Sequence, residues 1–111
     1  MDQVIHRCRA ADGGDIAYAT VGDGPPLIFT SWWVSHVELD WSDAAFRTFV
    51  ETLAQRHLVV RYDRPGAGLS GPRRGDLSLR DEVGYALAVI DDLNLDRYAL
   101  FGTSCSRSAM P

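Results

Sequence analysis

The residues best placed by type and spacing to do chemistry are Gly102-Thr103-Ser104-Cys105-Ser106, directly after the apolar run Tyr98-Ala99-Leu100-Phe101. A strand that turns at once into a helix presents a serine hydroxyl at the apex of a tight turn. The helix then aims its first N–H groups at the same spot. Small residues must flank such a turn, and Gly102 and Ser106 are small, although Ser106 stands where G-x-S-x-G has its second glycine. A serine held in this way is a candidate nucleophile once a base accepts its proton. The same pentapeptide also fits an ordinary strand-end turn followed by a helix cap. His36 lies in a stretch that holds Trp32, Trp33 and Trp41, so it is the histidine to weigh as a base; His6 and His57 read as structural. Asp63 is expected to bond backbone N–H groups of its own loop, as aspartate does in turns. Gly66-Ala67-Gly68 has neither a P-loop lysine nor the third glycine of a dinucleotide site. Cys8 and Cys105 lack metal-ligand spacing, and Cys105 reads either as a thiol at a helix start or as a small residue donating its N–H.

The elements that must position these residues follow from punctuation and period. Residues 4–10 and 16–21 are β-like runs joined through Asp12-Gly13-Gly14-Asp15, a hairpin signal. Gly22-Asp23-Gly24-Pro25-Pro26 ends the hairpin, and the continuous apolar run Leu27-Ile28-Phe29-Thr30 predicts a strand covered on both faces. Residues 31–42 read as irregular. Phe46, Phe49, Val50 and Leu53 then fall at helical spacing, with Ser42 expected to cap the first turn. Leu58-Val59-Val60-Arg61-Tyr62 predicts another strand, followed by a Gly- and Pro-rich loop. Ser78 and Asp81 mark a helix start, and the stripe Leu79, Val83, Ala86, Leu87, Ile90 and Leu93 carries that helix to Asn94. The order β-β-β-α-β-α-β predicts an α/β fold: a mostly parallel sheet with an N-terminal antiparallel hairpin and flanking helices.

Over nearly its whole length the chain resembles the α/β-hydrolase fold family. The matching pieces are Ile16-Ala17-Tyr18 after Asp12-Gly13, the strand Gly24-Pro25-Pro26-Leu27-Ile28-Phe29, and the turn around Ser104. Most specific is Asp63-Arg64-Pro65-Gly66-Ala67-Gly68-Leu69-Ser70, which fits the D-x-x-G-x-G-x-S loop that this family places after its fourth strand. The stretch Trp33-Val34-Ser35-His36-Val37-Glu38-Leu39-Asp40-Trp41 is similar to a bacterial subgroup whose hydrolase-like domains are often joined to nucleotide-cyclase or transcription-regulator domains. The resemblance implies a serine hydrolase, with Ser104 attacking an ester-like carbonyl and no cofactor or metal. It implies an oxyanion hole made by the backbone N–H groups of Cys105 and Trp33, with Trp32 as the near alternative to Trp33. The chain departs from the family pattern at Ser31-Trp32, where a glycine is usual.

In that family the triad runs Ser, then Asp or Glu, then His. Only seven residues follow Ser104, and none is His, Asp or Glu. The expectation is therefore that residues 1–111 are the N-terminal part of a single α/β-hydrolase domain, ending just after the nucleophile turn and impaired in isolation. A truncated sheet exposes an apolar edge, so self-association is expected there. A non-catalytic ligand-sensing or interaction module of a regulatory protein is the alternative. The 111 residues are 46% hydrophobic and 23% charged, values of a globular chain. Eleven basic residues, all Arg, stand against fifteen acidic ones for a net charge of −4, which argues against nucleic acid as a partner. No apolar run approaches a bilayer span and no export signal is visible, so a cytoplasmic location is expected; the resemblance implies a small-molecule, ester-like substrate.

Overall fold

A computed structural model describes residues 2–11, 13–29, 36–65, 68–71 and 79–101, with side chains from 83 onward in the last segment. Its strands are β1 (Val4–Arg9), β2 (Asp15–Val21), β3 (Pro26–Phe29), β4 (Leu58–Tyr62) and β5 (Ala99–Phe101). The helices are α1 (Val37–Ser42), α2 (Ala44–Ala54) and α3 (Leu79–Asp92). One sheet holds all five strands in the order β1-β2-β4-β3-β5. β2 is antiparallel to both β1 and β4, while β3 is parallel to β4 and to β5. Among the described strands, four therefore run one way and only β2 runs against them. The predicted hairpin, the parallel strands and the flanking helices are all present.

Strand alternation sorts the core onto two faces. Ile16, Tyr18, Ile28, Val60 and Tyr62 point to the face covered by Tyr85, Val89 and Ile90 of α3. Val21, Phe29 and Val59 point to the other, covered by Trp41 of α1 and by Val50 and Ala54 of α2. Both faces of the central strands are buried, which is why their sequences read as unbroken apolar runs rather than alternating ones.

Three expectations need correction. The stretch 31–42 is not irregular throughout, because Val37–Ser42 forms a helix. That short helix takes Ser42 into its last turn, where the hydroxyl donates to the Leu39 carbonyl (2.6 Å). Asp43 is the cap of α2 instead, its Oδ1 accepting from the Phe46 N–H (3.0 Å). The third correction concerns α3. Tyr85 and Val89 are buried against the sheet, while Val83 and Leu87 of the predicted stripe are exposed. The helix is apolar over too wide an arc for period alone to say which residues meet the sheet. Its end is as predicted: Asn94 takes a left-handed φ of 54° and Leu95 N–H reaches back to the Ile90 carbonyl (3.2 Å), a Schellman-type close. Ser78 and the turn it was expected to start lie outside the described residues.

α3 is also pinned from its far end. The Tyr18 hydroxyl donates to Asp92 Oδ2 (2.5 Å), and burial together with that bond raises the phenol well above its ordinary pKa. His6 lies within β1. It stacks on Tyr18 with ring centroids 4.9 Å apart and shares a hydrogen bond with Thr20 Oγ1 (3.0 Å), so its structural reading stands.

Candidate active site

Because β3, β4 and β5 are parallel, their last residues Phe29, Tyr62 and Phe101 come to the same edge of the sheet. The chain leaves that rim after β1, after β3 and after β4, and reaches it again at the end of β5. In open α/β sheets the carboxyl ends of the strands are where such loops build a site.

The loop after β4 is pinned to the neighbouring strand. Beyond Tyr62 the chain no longer pairs as a strand, yet β2 continues beside it to Asp15. The loop satisfies that backbone. Asp63 N–H donates to the Ala17 carbonyl (2.9 Å), Ser70 Oγ accepts from Ala17 N–H (2.8 Å), and Gly71 N–H donates to the Asp15 carbonyl (2.9 Å). Ser70 Oγ also donates to the Asp63 carbonyl, so one hydroxyl serves both strand and loop. Arg7, on β1, donates to the Leu69 carbonyl (2.8 Å) and pairs with Asp15.

Asp63 itself is 0% exposed. Its Oδ2 accepts from Leu69 N–H (3.0 Å), as expected of a residue that bonds its own loop. The same oxygen also accepts from Val37 N–H (3.0 Å) at the start of α1. That second donor is 26 residues away in sequence and nothing local signals it. Arg61, two residues earlier and 5% exposed, donates from Nη2 to the Val37 carbonyl (2.9 Å) and to Gln3 Oε1 (2.5 Å). Burial lowers the Arg61 pKa from its ordinary value, against the opposing charges of Asp40 and Asp63.

A tryptophan in such a stretch either lines a pocket or packs a core. Trp41 packs: it is 8% exposed, with the Arg47 guanidinium 4.7 Å and the Arg61 guanidinium 5.7 Å from its ring centroid. Trp32 and Trp33 lie outside the described residues.

His36 caps α1. Its Nδ1 accepts from Leu39 N–H (3.0 Å), and its own N–H donates to Asp40 Oδ2 (3.1 Å). A neutral imidazole has one acceptor nitrogen, and here the cap occupies it. Taking a proton at that nitrogen breaks the cap, so the structure argues against His36 as a general base. His57 Nδ1 lies 3.1 Å from the Leu53 carbonyl at the end of α2, another structural contact. Burial, reinforced by Asp92 and Asp15, pushes the Cys8 thiol up to about 11, which keeps it protonated and unreactive at neutral pH.

The nucleophile candidate Ser104 and the two oxyanion donors, Cys105 and Trp33, lie outside the described residues. β5, which leads to Ser104 and Cys105, is described: three residues at the edge of the sheet, with Phe101 41% exposed and stacked on Phe29 at 4.8 Å. A cavity of about 370 Å³ lined by Ile90, Asp91, Asn94, Leu95 and Asp96 opens beside the turn that precedes β5, at the opposite end of the sheet from the rim. Among the described residues no helix is long and apolar enough to cross a membrane.

No family model and no curated protein matches the chain. Solved structures do. A hydrolase from Pseudomonas aeruginosa PA01 superposes with a TM-score of 0.78 at 23% identity, covering 91% of this chain and 37% of its own. An α/β hydrolase from Sphaerobacter thermophilus DSM 20745 gives 0.69 at 28% identity, with 87% and 35% covered. An epoxide hydrolase from Vigna radiata gives 0.73 at 19% identity, with 90% and 31% covered. The chain thus spans about a third of the length of the structures it resembles.

Proposed function

We propose that this chain, whose fold is that of the α/β hydrolases, is the N-terminal part of a serine hydrolase domain of esterase-like type, with Ser104 as nucleophile. The observation that carries the reading is the position of β5. It is parallel to β3 and ends at Phe101, three residues before Ser104, on the rim where the loops after β3 and β4 also begin. A serine leaving that strand in a sharp turn meets the N–H groups of a following helix, and the backbone N–H of Cys105 is then one oxyanion donor. Trp33, in the segment after β3, is the second in this reading.

The chemistry is acyl transfer to Ser104 Oγ: the Oγ–carbon bond forms, the alcohol leaves, and a base takes the hydroxyl proton. The acceptor nitrogen of His36 holds the α1 cap and His57 precedes β4, at the end of the sheet opposite the rim, so the chain alone is expected to react slowly. Loss of the histidine from such a triad lowers turnover by about 10⁶-fold while binding and the oxyanion hole still act. The test is labelling with a fluorophosphonate at pH 9, where hydroxide replaces the missing base. The Oγ–P bond forms as fluoride leaves, and the proton goes to solvent. Peptide mapping is expected to find the adduct on Ser104 and to lose it in Ser104→Ala. Equal labelling of that variant removes the hydrolase reading, and absence of labelling in both favours a non-catalytic binding module.

The exposed β5 edge, with Tyr98, Leu100 and Phe101 uncovered, supports self-association of the 111-residue chain by strand pairing. Sedimentation velocity is expected to show concentration-dependent oligomers that Leu100→Lys reduces to monomer. A monomer at all concentrations before substitution contradicts it.

A further inference from the structure

We infer that Arg61 and Asp63 are positioning residues that together clamp the backbone of Val37 and so hold the start of α1 against the loop after β4. The inference rests on the reading of the strand rim as the hydrolytic site. Arg61 lies in β4 and Asp63 just beyond its end, and both reach Val37, so they lie on the same side of the sheet. On that face the neighbouring position, Val59, is apolar and buried, as a residue serving only the core would be. Arg61 and Asp63 are instead ionisable and nearly inaccessible, and burying such groups costs desolvation that well-packed apolar residues avoid.

Their hydrogen bonds converge on the backbone of one residue. Asp63 Oδ2 takes the Val37 N–H, and Arg61 Nη2 gives to the Val37 carbonyl, which Gln3 Nε2 also reaches at 2.9 Å. Asp63 Oδ2 takes the Leu69 N–H as well, so one carboxylate oxygen joins α1 to the loop after β4. Phe29, held in β3 between β4 and β5, fixes the other end of the six residues that lead to His36. The connection proposed to supply an oxyanion donor is thereby anchored at both ends, at one end by β3 and at the other by a charged pair with no apolar equivalent.

The experiment uses the 111-residue chain, its Asp63→Asn variant, which keeps an acceptor oxygen but no charge, and Arg61→Met, which keeps bulk. Native-state amide exchange is read by NMR beside fluorophosphonate labelling of Ser104. Exchange at Val37 and Leu69 is expected to rise at least about tenfold in Asp63→Asn, with the amides of Ile28 and Val60 no faster than the change in global stability requires. Labelling is expected to fall at least about tenfold in both variants. Unchanged exchange at Val37 overturns the clamp. Loosened exchange with labelling as fast as in the parent chain also overturns it, and leaves the reading of Ser104 standing. No labelling of the parent chain overturns that reading, and the catalytic meaning of the clamp with it.

Discussion

Replacing Gly22 with alanine is expected to destabilise the chain by about 3–5 kcal/mol, near the upper end for a single methyl group. Gly22 holds φ at +83°, a left-handed conformation that L side chains rarely adopt. A Cβ built there also meets the Ala54 carbonyl oxygen, the His57 carbonyl oxygen at 2.5 Å and the Ala54 Cβ at 2.8 Å. These are mostly backbone atoms at the end of α2 and the approach to β4, so relief requires the β2–β3 turn to lift away from the helix. Gly84 gives the internal control. It sits within α3 with nothing within 4 Å of a built Cβ, and alanine there is expected to stabilise by about 0.5–1 kcal/mol through helix propensity. Urea unfolding of the two variants, with m unchanged, should shift the midpoint in opposite directions. Equal shifts would mean that the turn at Gly22 is not packed as described.

Trp41→Ala is expected to destabilise by about 3–5 kcal/mol, the range for emptying a buried aromatic site. The ring belongs to the core with Val21, Phe29, Val50, Ala54 and Val59. Two guanidinium groups cover its faces, and one of them, Arg61, also holds the Val37 carbonyl. Its removal should therefore loosen α1 as well as open a void. A tryptophan lining a ligand pocket would lose little stability on truncation and would alter binding instead. A loss under about 1 kcal/mol on urea unfolding would restore the pocket reading for this residue.

Much of the fold was legible because its signals are local. Asp12-Gly13-Gly14-Asp15 announces the hairpin, and the unbroken apolar runs of β3 and β4 announce burial on both faces. Asn94 announces the end of α3. What escaped was either short or non-local. Six residues of α1 are less than two turns, too few for a period to show, and missing that helix moved the cap of α2 from Asp43 to Ser42. On α3, apolar residues cover so much of the surface that choosing Val83 and Leu87 over Tyr85 and Val89 followed no physical signal; contact with the sheet decides it. For the site, the Asp63 loop was read correctly as bonding itself, through Leu69. Its bond to Val37 depends on two strands being neighbours in space, which no spacing along the chain encodes.

The central claim is that Ser104 rides a sharp turn out of β5, with backbone donors gathered about its hydroxyl. A crystal structure of the chain after reaction with a fluorophosphonate tests it most directly. The account predicts phosphorus bonded to Ser104 Oγ, with the phosphoryl oxygen within about 3.1 Å of the N–H groups of Cys105 and Trp33. Ser104 unmodified within a regular helix, or a phosphoryl oxygen turned to solvent with neither N–H in reach, would contradict it.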